Sequence, residues 1–150
     1  MKLNIEQNPE MREVEITIRC NIIDERLAAL VRQIQLYAFS VPAEKDGRTY
    51  ALAPEDIFYF ESVDEKSFVC CHHEVYSCAL RLYELEDKFN KTSFVRVSKS
   101  LILNSAKVQS VAPLLGGRLE ALLENGEKAL ISRHYVPAFK AQFTRWEEKP

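Results

Sequence analysis

The chain has 150 residues, 47% of them apolar and 28% charged, and a formal net charge of −2. This composition is typical of one soluble globular domain and excludes a disordered or membrane-embedded chain. A pI near 6.0 also excludes a bulk polycation, although it permits a nucleic-acid binder whose basic residues are clustered. No apolar run approaches the roughly 20 residues needed to span a bilayer, and the start lacks the apolar core of a signal peptide. We therefore expect a cytoplasmic protein.

The first 45 residues predict a strand followed by a helix. Residues 12–20 alternate strictly between apolar and polar side chains, which is typical of a half-buried strand. Asn21 is the predicted helix cap, with Asp24 three residues later at the positive end of the helix dipole. Residues 40–48 contain a proline and a glycine and predict a linker. The helix has one apolar stripe, formed by Leu27, Leu30, Val31, Ile34 and Tyr37.

From residue 49 onward the chain predicts short strands separated by turns. Asn125-Gly126 between two apolar runs is a strong hairpin signal, because both central residues need positive φ. A helical pattern interrupts the strands at residues 80–90, and a last helix begins near His134, with Ser132 as its predicted cap. We therefore predict a mostly antiparallel β body of eight or more strands. Residues 46–150 form this domain and residues 1–45 a strand–helix extension.

The most informative charge feature is a window without acids. Residues 88–119 contain no Asp or Glu, in a chain whose overall charge is negative. This separation of charge predicts one face that meets a negatively charged partner. The basic residues of the window are Lys88, Lys91, Arg96, Lys99, Lys107 and Arg118.

Two basic residues are predicted to lie on exposed loop tips. Lys99 stands in a corner between two serines, Ser98 and Ser100, and Arg133 stands where a strand ends and a helix begins. Long donors beside small hydroxyls suit phosphate contacts, and the planar fork of arginine suits the O6 and N7 atoms of guanine. A simpler interpretation stays open for three other residues, which would be solvent-facing strand positions that keep the sheet soluble: Arg96, Lys107 and Arg118.

Neither catalysis nor a cofactor has support in the sequence. The chain contains no nucleophile elbow, no phosphate-binding glycine loop and no His-Glu-x-x-His helix. The run from Cys70 to His73 suggests a metal, but neighbours on a strand point to opposite faces and a structural zinc site needs four ligands. We therefore predict no enzyme, no metal and no cofactor. A metal-dependent redox sensor built on this run and Cys78 is kept as an alternative.

Several segments together resemble the LytTR DNA-binding domain family. They are Phe94 to Asn104, Leu119 to Gly126 and Ile131 to Tyr135, with Pro54 to Glu61 matching the family's opening strand. The match covers about residues 49–145, with the elements in the family's order. The resemblance implies a mainly β (α+β) fold, an elongated stack of small antiparallel sheets with short helices. It also implies a bacterial transcriptional regulator whose loops enter successive major grooves of promoter DNA at imperfect direct repeats.

The resemblance implies three loop regions that contact DNA. The first maps to Lys66 and Ser67, the second to Ser98, Lys99 and Ser100, and the third to Arg133 with His134 beside it. Arg133 is then the principal base reader and Lys99 a second base or phosphate contact. A lysine favours guanine or a phosphate where the asparagine of some members would read adenine, so base preference does not transfer. Backbone-positioning charges are Arg96, Lys107 and Arg118.

The first 45 residues are too few for the receiver domain that many family members carry. The resemblance is therefore to stand-alone LytTR regulators, some of which are restrained by a small membrane protein. We predict double-stranded DNA as the partner and no small-molecule substrate. The apolar stripe of residues 27–37 is assigned to self-packing plus a homodimer contact, with such an inhibitor as a further candidate partner. The alternative function is a protein-interaction module that binds a regulatory partner without reading DNA, suggested by the acidic half of the chain.

Overall fold

The computed structural model describes residues 1–90 and 92–147, without the side chains of residues 32, 36, 37 and 144–147. The described part holds two antiparallel sheets and three α-helices, so the predicted mainly β fold is confirmed. The helices are α1 (Glu25–Phe39), α2 (Leu82–Lys88) and α3 (Val136–Glu147). The strands are β1 (Val41–Lys45), β2 (Arg48–Leu52), β3 (Ile57–Val63), β4 (Lys66–Cys71), β5 (Val75–Cys78), β6 (Phe94–Ser98), β7 (Leu101–Asn104), β8 (Val108–Pro113), β9 (Leu119–Leu123) and β10 (Lys128–Ile131).

The larger sheet has seven strands in the order β2-β1-β5-β4-β3-β7-β6, and its strands β3 and β7 are covered on both faces. Successive residues of a strand point to opposite faces, and a bulge between Ile57 and Tyr59 shifts this alternation in β3. Residues of one apolar run therefore belong to two cores. Phe60 and Ile102 form one buried cluster with Leu85 of α2 and with Phe89 at the end of that helix. Phe58 and Leu103 pack on the other face, against the smaller sheet. This two-sided burial explains why β3 and β7 are apolar along most of their length.

The smaller sheet has three strands in the order β10-β9-β8 and closes the second core. Its inward residues Leu119, Ala121, Leu123 and Ile131 meet the second face of the larger sheet, and Phe139 of α3 is fully buried among them. The predicted hairpin at Asn125-Gly126 joins β9 to β10, but Gly126 has positive φ (87°) and Asn125 does not. The two stacked sheets therefore form one body.

The N-terminal prediction was wrong in its strand and its cap. Residues 12–20 form no strand in the described structure and all of them are exposed, because an alternating pattern becomes a strand only when another strand accepts its backbone hydrogen bonds. Helix α1 is present, but its cap is Asp24, whose Oδ1 accepts a 2.8 Å hydrogen bond from the backbone N–H of Leu27. Asn21 lies outside the helix.

The predicted linker at residues 40–48 is also wrong. It contains β1 and the turn into β2, paired from Val41↔Leu52 to Lys45↔Arg48. The turn residues Asp46 and Gly47 have φ of 52° and 75°, as a two-residue hairpin turn requires. Asp-Gly was the signal that the linker interpretation overlooked.

Asn104 is the main buried polar group at the junction of the two sheets. Its Nδ2 donates to the carbonyl of Ile57 (2.8 Å), and its Oδ1 accepts from Ser93 Oγ (2.7 Å) and the Ala106 N–H (3.1 Å). The side chain thus joins β7 to the start of β3 and caps the turn that leads into β8. A buried amide with these three bonds fixes the end of the strand.

Substituting Asn104→Ala should lower the free energy of unfolding by about 2–3 kcal/mol, because the Ile57 carbonyl and the Ala106 N–H lose their partner in a buried site. Urea denaturation followed by circular dichroism measures the change. Gln109→Ala is the matched control, since this amide is exposed on β8 and its loss should cost less than about 0.5 kcal/mol. Equal effects for the two variants would contradict the assigned role.

Candidate functional site

Four connections lie at one end of the stacked sheets, which we call the loop end. They are the β3–β4 turn at residues 64–65, the β6–β7 turn at residues 99–100, the β8–β9 loop at residues 114–118 and the segment 132–134 after β10. The strand register places the first two together, because the Ser62 N–H donates to the Ser100 carbonyl at 2.8 Å. Pairing of Ile131 with Leu119 brings the other two together in the smaller sheet.

A backbone hydrogen bond joins the two sheets at the loop end. The N–H of Ser132 donates to the carbonyl of Val97 at 2.9 Å. Lys99 is two residues beyond Val97, and Arg133 directly follows Ser132, so chain geometry keeps their Cα atoms within about 15 Å of each other. The two loop tips predicted to act together therefore lie side by side, although 34 positions separate them in the sequence.

The side chains of Lys99 and Arg133 are exposed. Within residues 1–90 and 92–143, neither the ammonium nor the guanidinium forms a hydrogen bond or an ion pair with another group. The stem of Arg133 lies on Gly117, where an added Cβ would stand 3.3 Å from the Arg133 Cγ. Gly117 has φ of 76°, so glycine here provides both the turn and the space for the arginine. Sequence reasoning had identified the turn but not this contact.

Arg96 supports the β6–β7 turn from behind. Its Nε donates to the Ser98 carbonyl at 2.7 Å and its Nη2 donates to the Lys99 carbonyl. Its Nη1 lies 3.5 Å from Oε1 of Glu86 in helix α2, and only 19% of the Arg96 side chain is exposed. The guanidinium therefore serves as a clamp on the turn, which the sequence pattern did not reveal because the acceptors are backbone atoms.

The serines of the second loop differ in what they offer to a ligand. The hydroxyl of Ser98 accepts the Ser100 N–H at 3.2 Å and lies 3.5 Å from the Ser100 hydroxyl. Ser100 is exposed and Ser98 is half-buried. The turn thus presents the ammonium of Lys99 beside one exposed serine, Ser100.

The first predicted loop region is only partly at the surface. Lys66 is exposed, but Ser67 is 5% exposed and faces the core, so its hydroxyl lies inside the sheet. The turn before it carries two acids with positive φ, Asp64 and Glu65. Arg81, a residue missed by sequence reasoning, donates from Nη1 to the Glu65 carbonyl at 3.4 Å. This part of the loop end therefore carries both basic and acidic side chains.

The remaining basic residues fall into different places. Arg118 is exposed at the loop end, with its Nε donating to the Leu115 carbonyl at 3.0 Å. His134 is exposed next to Arg133, its ring edge-on to Tyr135 at 5.0 Å. Lys107 lies at the opposite end of β7, with its Nζ 5.3 Å from the centroid of the Phe58 ring. Lys91 lies outside the described residues. Ser132 begins the last helical segment without the predicted side-chain capping bond.

The cysteines show no metal site within the described residues. No group of three or more His, Cys, Asp or Glu side chains there is placed to hold an ion. Burial raises the pKa of the Cys70 thiol to about 12 and that of Cys71 to about 11. A raised pKa disfavours the thiolate, which is the form that binds metals and reacts. In the described residues, no helix is both long and apolar enough to cross a membrane.

Comparison with known proteins identifies the class to which this fold and loop end belong. The model of the LytTr DNA-binding domain family matches residues 47–144. A solved LytTr DNA-binding domain of a putative methyl-accepting/DNA response regulator from Bacillus cereus has the same fold, with a TM-score of 0.65 at 23% identity over 69% of this chain and 96% of that one. The chain belongs to the LytTR family.

Two kinds of relative are similar to the chain. The sensory transduction protein LytT of Enterococcus faecalis is 36% identical over 102 residues, which are 67% of this chain and 42% of that protein. The chain thus spans less than half the length of this relative. An uncharacterized HTH-type transcriptional regulator of Staphylococcus aureus is 21% identical over 146 residues, which are 96% of this chain and 99% of that protein. This second similarity extends through the N-terminal extension.

Replacing the clamp by Arg96→Lys should lower the free energy of unfolding by about 1–2 kcal/mol, because an ammonium cannot hold two turn carbonyls and Glu86 together. Amide exchange at Ser100 and Ser62 should accelerate more than exchange in β9. Arg81→Lys is the control, since it removes one long bond at an exposed site and should change stability by less than about 0.5 kcal/mol. Unchanged exchange at Ser100 would show that the turn does not depend on Arg96.

Proposed function

We propose that this protein is a bacterial transcriptional regulator that binds promoter DNA specifically through its loop end. The β6–β7 turn and the segment after β10 enter the major groove, and two copies occupy imperfect direct repeats. The observation that carries the proposal is the Ser132–Val97 hydrogen bond, which holds the exposed cations Lys99 and Arg133 side by side. Membership of a DNA-binding domain family supports the same partner.

Each residue of the loop end receives a role from its chemistry. Arg133 reads a base with its planar fork, preferably guanine, and Gly117 supports its stem. Lys99 contacts a second base or a phosphate, with Ser100 beside it. Lys66, Arg118 and His134 contact the phosphate backbone. Arg96 and Ser98 act indirectly, because they hold the β6–β7 turn that carries Lys99.

The charge distribution supports DNA as the partner despite the net charge of −2. Phosphate contacts depend on local cations, and these are exposed at the loop end. Lys107 and Ser67 are left outside the interface, because the first lies at the opposite end and the second is buried. The acids of the β3–β4 turn stand beside Lys66 and repel phosphate, so the first loop contributes least.

Substituting Arg133→Ala should cost roughly 1–3 kcal/mol of binding free energy and relax specificity at one base pair. Duplexes selected from a random pool serve as probes, and titration against selected and scrambled duplexes measures the ratio. The control is Arg48→Ala, because Arg48 is exposed on the β1–β2 turn away from the loop end. Equal losses on selected and scrambled duplexes would remove the base-reading role of Arg133.

Lys66→Gln should weaken binding to all duplexes alike and reduce the slope of log K against log salt by about one, because one phosphate contact is lost. Lys107→Gln should leave the slope unchanged. The two lysines therefore distinguish the loop end from the opposite end in one salt titration. A reduced slope for Lys107→Gln alone would place the DNA at the other end of the sheets. Failure of both the wild type and the variants to select any duplex would favour the protein-interaction module.

A further inference from the structure

The N-terminal extension has apolar residues that the domain does not cover. Val14, Ile16 and Ile18 are 92%, 61% and 40% exposed. The apolar stripe of α1 is covered only in part, since Leu30 is 39% exposed and Leu27, Val31 and Ile34 are half-buried without belonging to either buried cluster. Helix α1 meets the domain at its end, where the Phe39 ring lies 6.0 Å from that of Phe89. Clustered apolar exposure of this kind marks an association surface.

The polar side of the exposed segment indicates its partner. Two copies of residues 12–20 can be paired in antiparallel orientation with Ile16 at the centre. In this register Glu13 of each copy lies opposite Arg19 of the other. The same register places Val14 opposite Ile18 and Ile16 opposite Ile16. Directly opposite pairs stabilise an antiparallel ladder when their charges are opposite or when both are apolar. Centring the pair on Glu15 instead would bring two like carboxylates together. Centring it on Thr17 would pair Glu15 with Arg19, but it would place Val14 opposite Cys20 and leave Glu13 opposite Asn21. We therefore take the register about Ile16, which places three apolar residues of each copy opposite apolar residues of the other.

We propose that residues 12–20 of two copies of this chain pair as an antiparallel two-stranded ribbon centred on Ile16. Such a contact is isologous, because each copy offers the same surface to the other. The ribbon satisfies the backbone hydrogen bonds that the segment lacks in one chain. Its apolar side is formed by Val14, Ile16 and Ile18 of both copies.

The α1 helices complete the contact. A two-stranded ribbon alone is marginally stable in water and needs a covering layer. The stripe of Leu27, Leu30, Val31 and Ile34 begins seven residues after the ribbon ends, and one stripe from each copy covers the apolar side. The proposal does not depend on DNA binding, because none of these residues lies at the loop end.

Disulfide cross-linking of the full chain tests the pairing. In a Cys20→Ser background, which removes the exposed native thiol, single cysteines replace Ile16 or Val14. Opposite residues of an antiparallel pair have Cα atoms about 4.5–5.5 Å apart, within the range for a disulfide. We expect Ile16→Cys to form a covalent dimer under mild oxidation and Val14→Cys to form little, whereas a mixture of Val14→Cys and Ile18→Cys chains should cross-link.

Two outcomes would overturn the pairing. Equal self-cross-linking at positions 14, 16 and 18 would indicate parallel or unspecific contact. A monomeric wild type by light scattering at tens of micromolar would exclude the second copy and favour another partner for the extension.

A charge exchange adds an independent test. Arg19→Glu should weaken dimerisation at least tenfold, and adding Glu13→Arg to the same chain should restore it. The unfolding temperature of the domain should stay unchanged in both variants, because both positions are exposed outside it.

Discussion

The hydrogen bond from the Ser132 N–H to the Val97 carbonyl is the contact on which the geometry of the loop end depends. It joins the last strand of the smaller sheet to the edge strand of the larger one. Because backbone atoms form it, neither Arg133 nor Lys99 has to give up its side chain to hold the two tips together. Both side chains are exposed, and the packing of the two sheets keeps this bond in place.

The two-sided packing of the larger sheet provides that support. Strands β3 and β7 bury one set of residues against α2 and the other against the smaller sheet, so the larger sheet cannot shift without disturbing both cores. Asn104 secures the far end of β7, and Arg96 secures the near end by holding the turn carbonyls. A rigid scaffold with exposed donors at its turns is the arrangement that lets loops read a partner with little entropy lost on binding.

The successes and failures of prediction have a common physical cause. Strands from residue 57 onward were predicted correctly because their alternation and turn residues agree with partners nearby in the chain, as at Asn125-Gly126. Residues 12–20 have an equally good alternation, yet they form no strand because no other strand lies beside them. The hairpin at residues 40–48 was missed because its proline was given more weight than Asp46-Gly47. The assignment of Ser67 to a loop likewise gave no indication that this residue is buried.

The sequence by itself determined the mainly β class, the hairpin at Asn125-Gly126, the family, and the two basic residues Lys99 and Arg133 at predicted turns. These follow from local periodicity, turn chemistry and residue type, which act over a few neighbouring positions. Only the tertiary structure decided that the two tips are adjacent, that Arg96 holds a turn from within and that Lys107 stands at the opposite end. Those facts depend on which strands pair across long stretches of chain, and the free energy that selects such pairing comes from burial of both sheet faces.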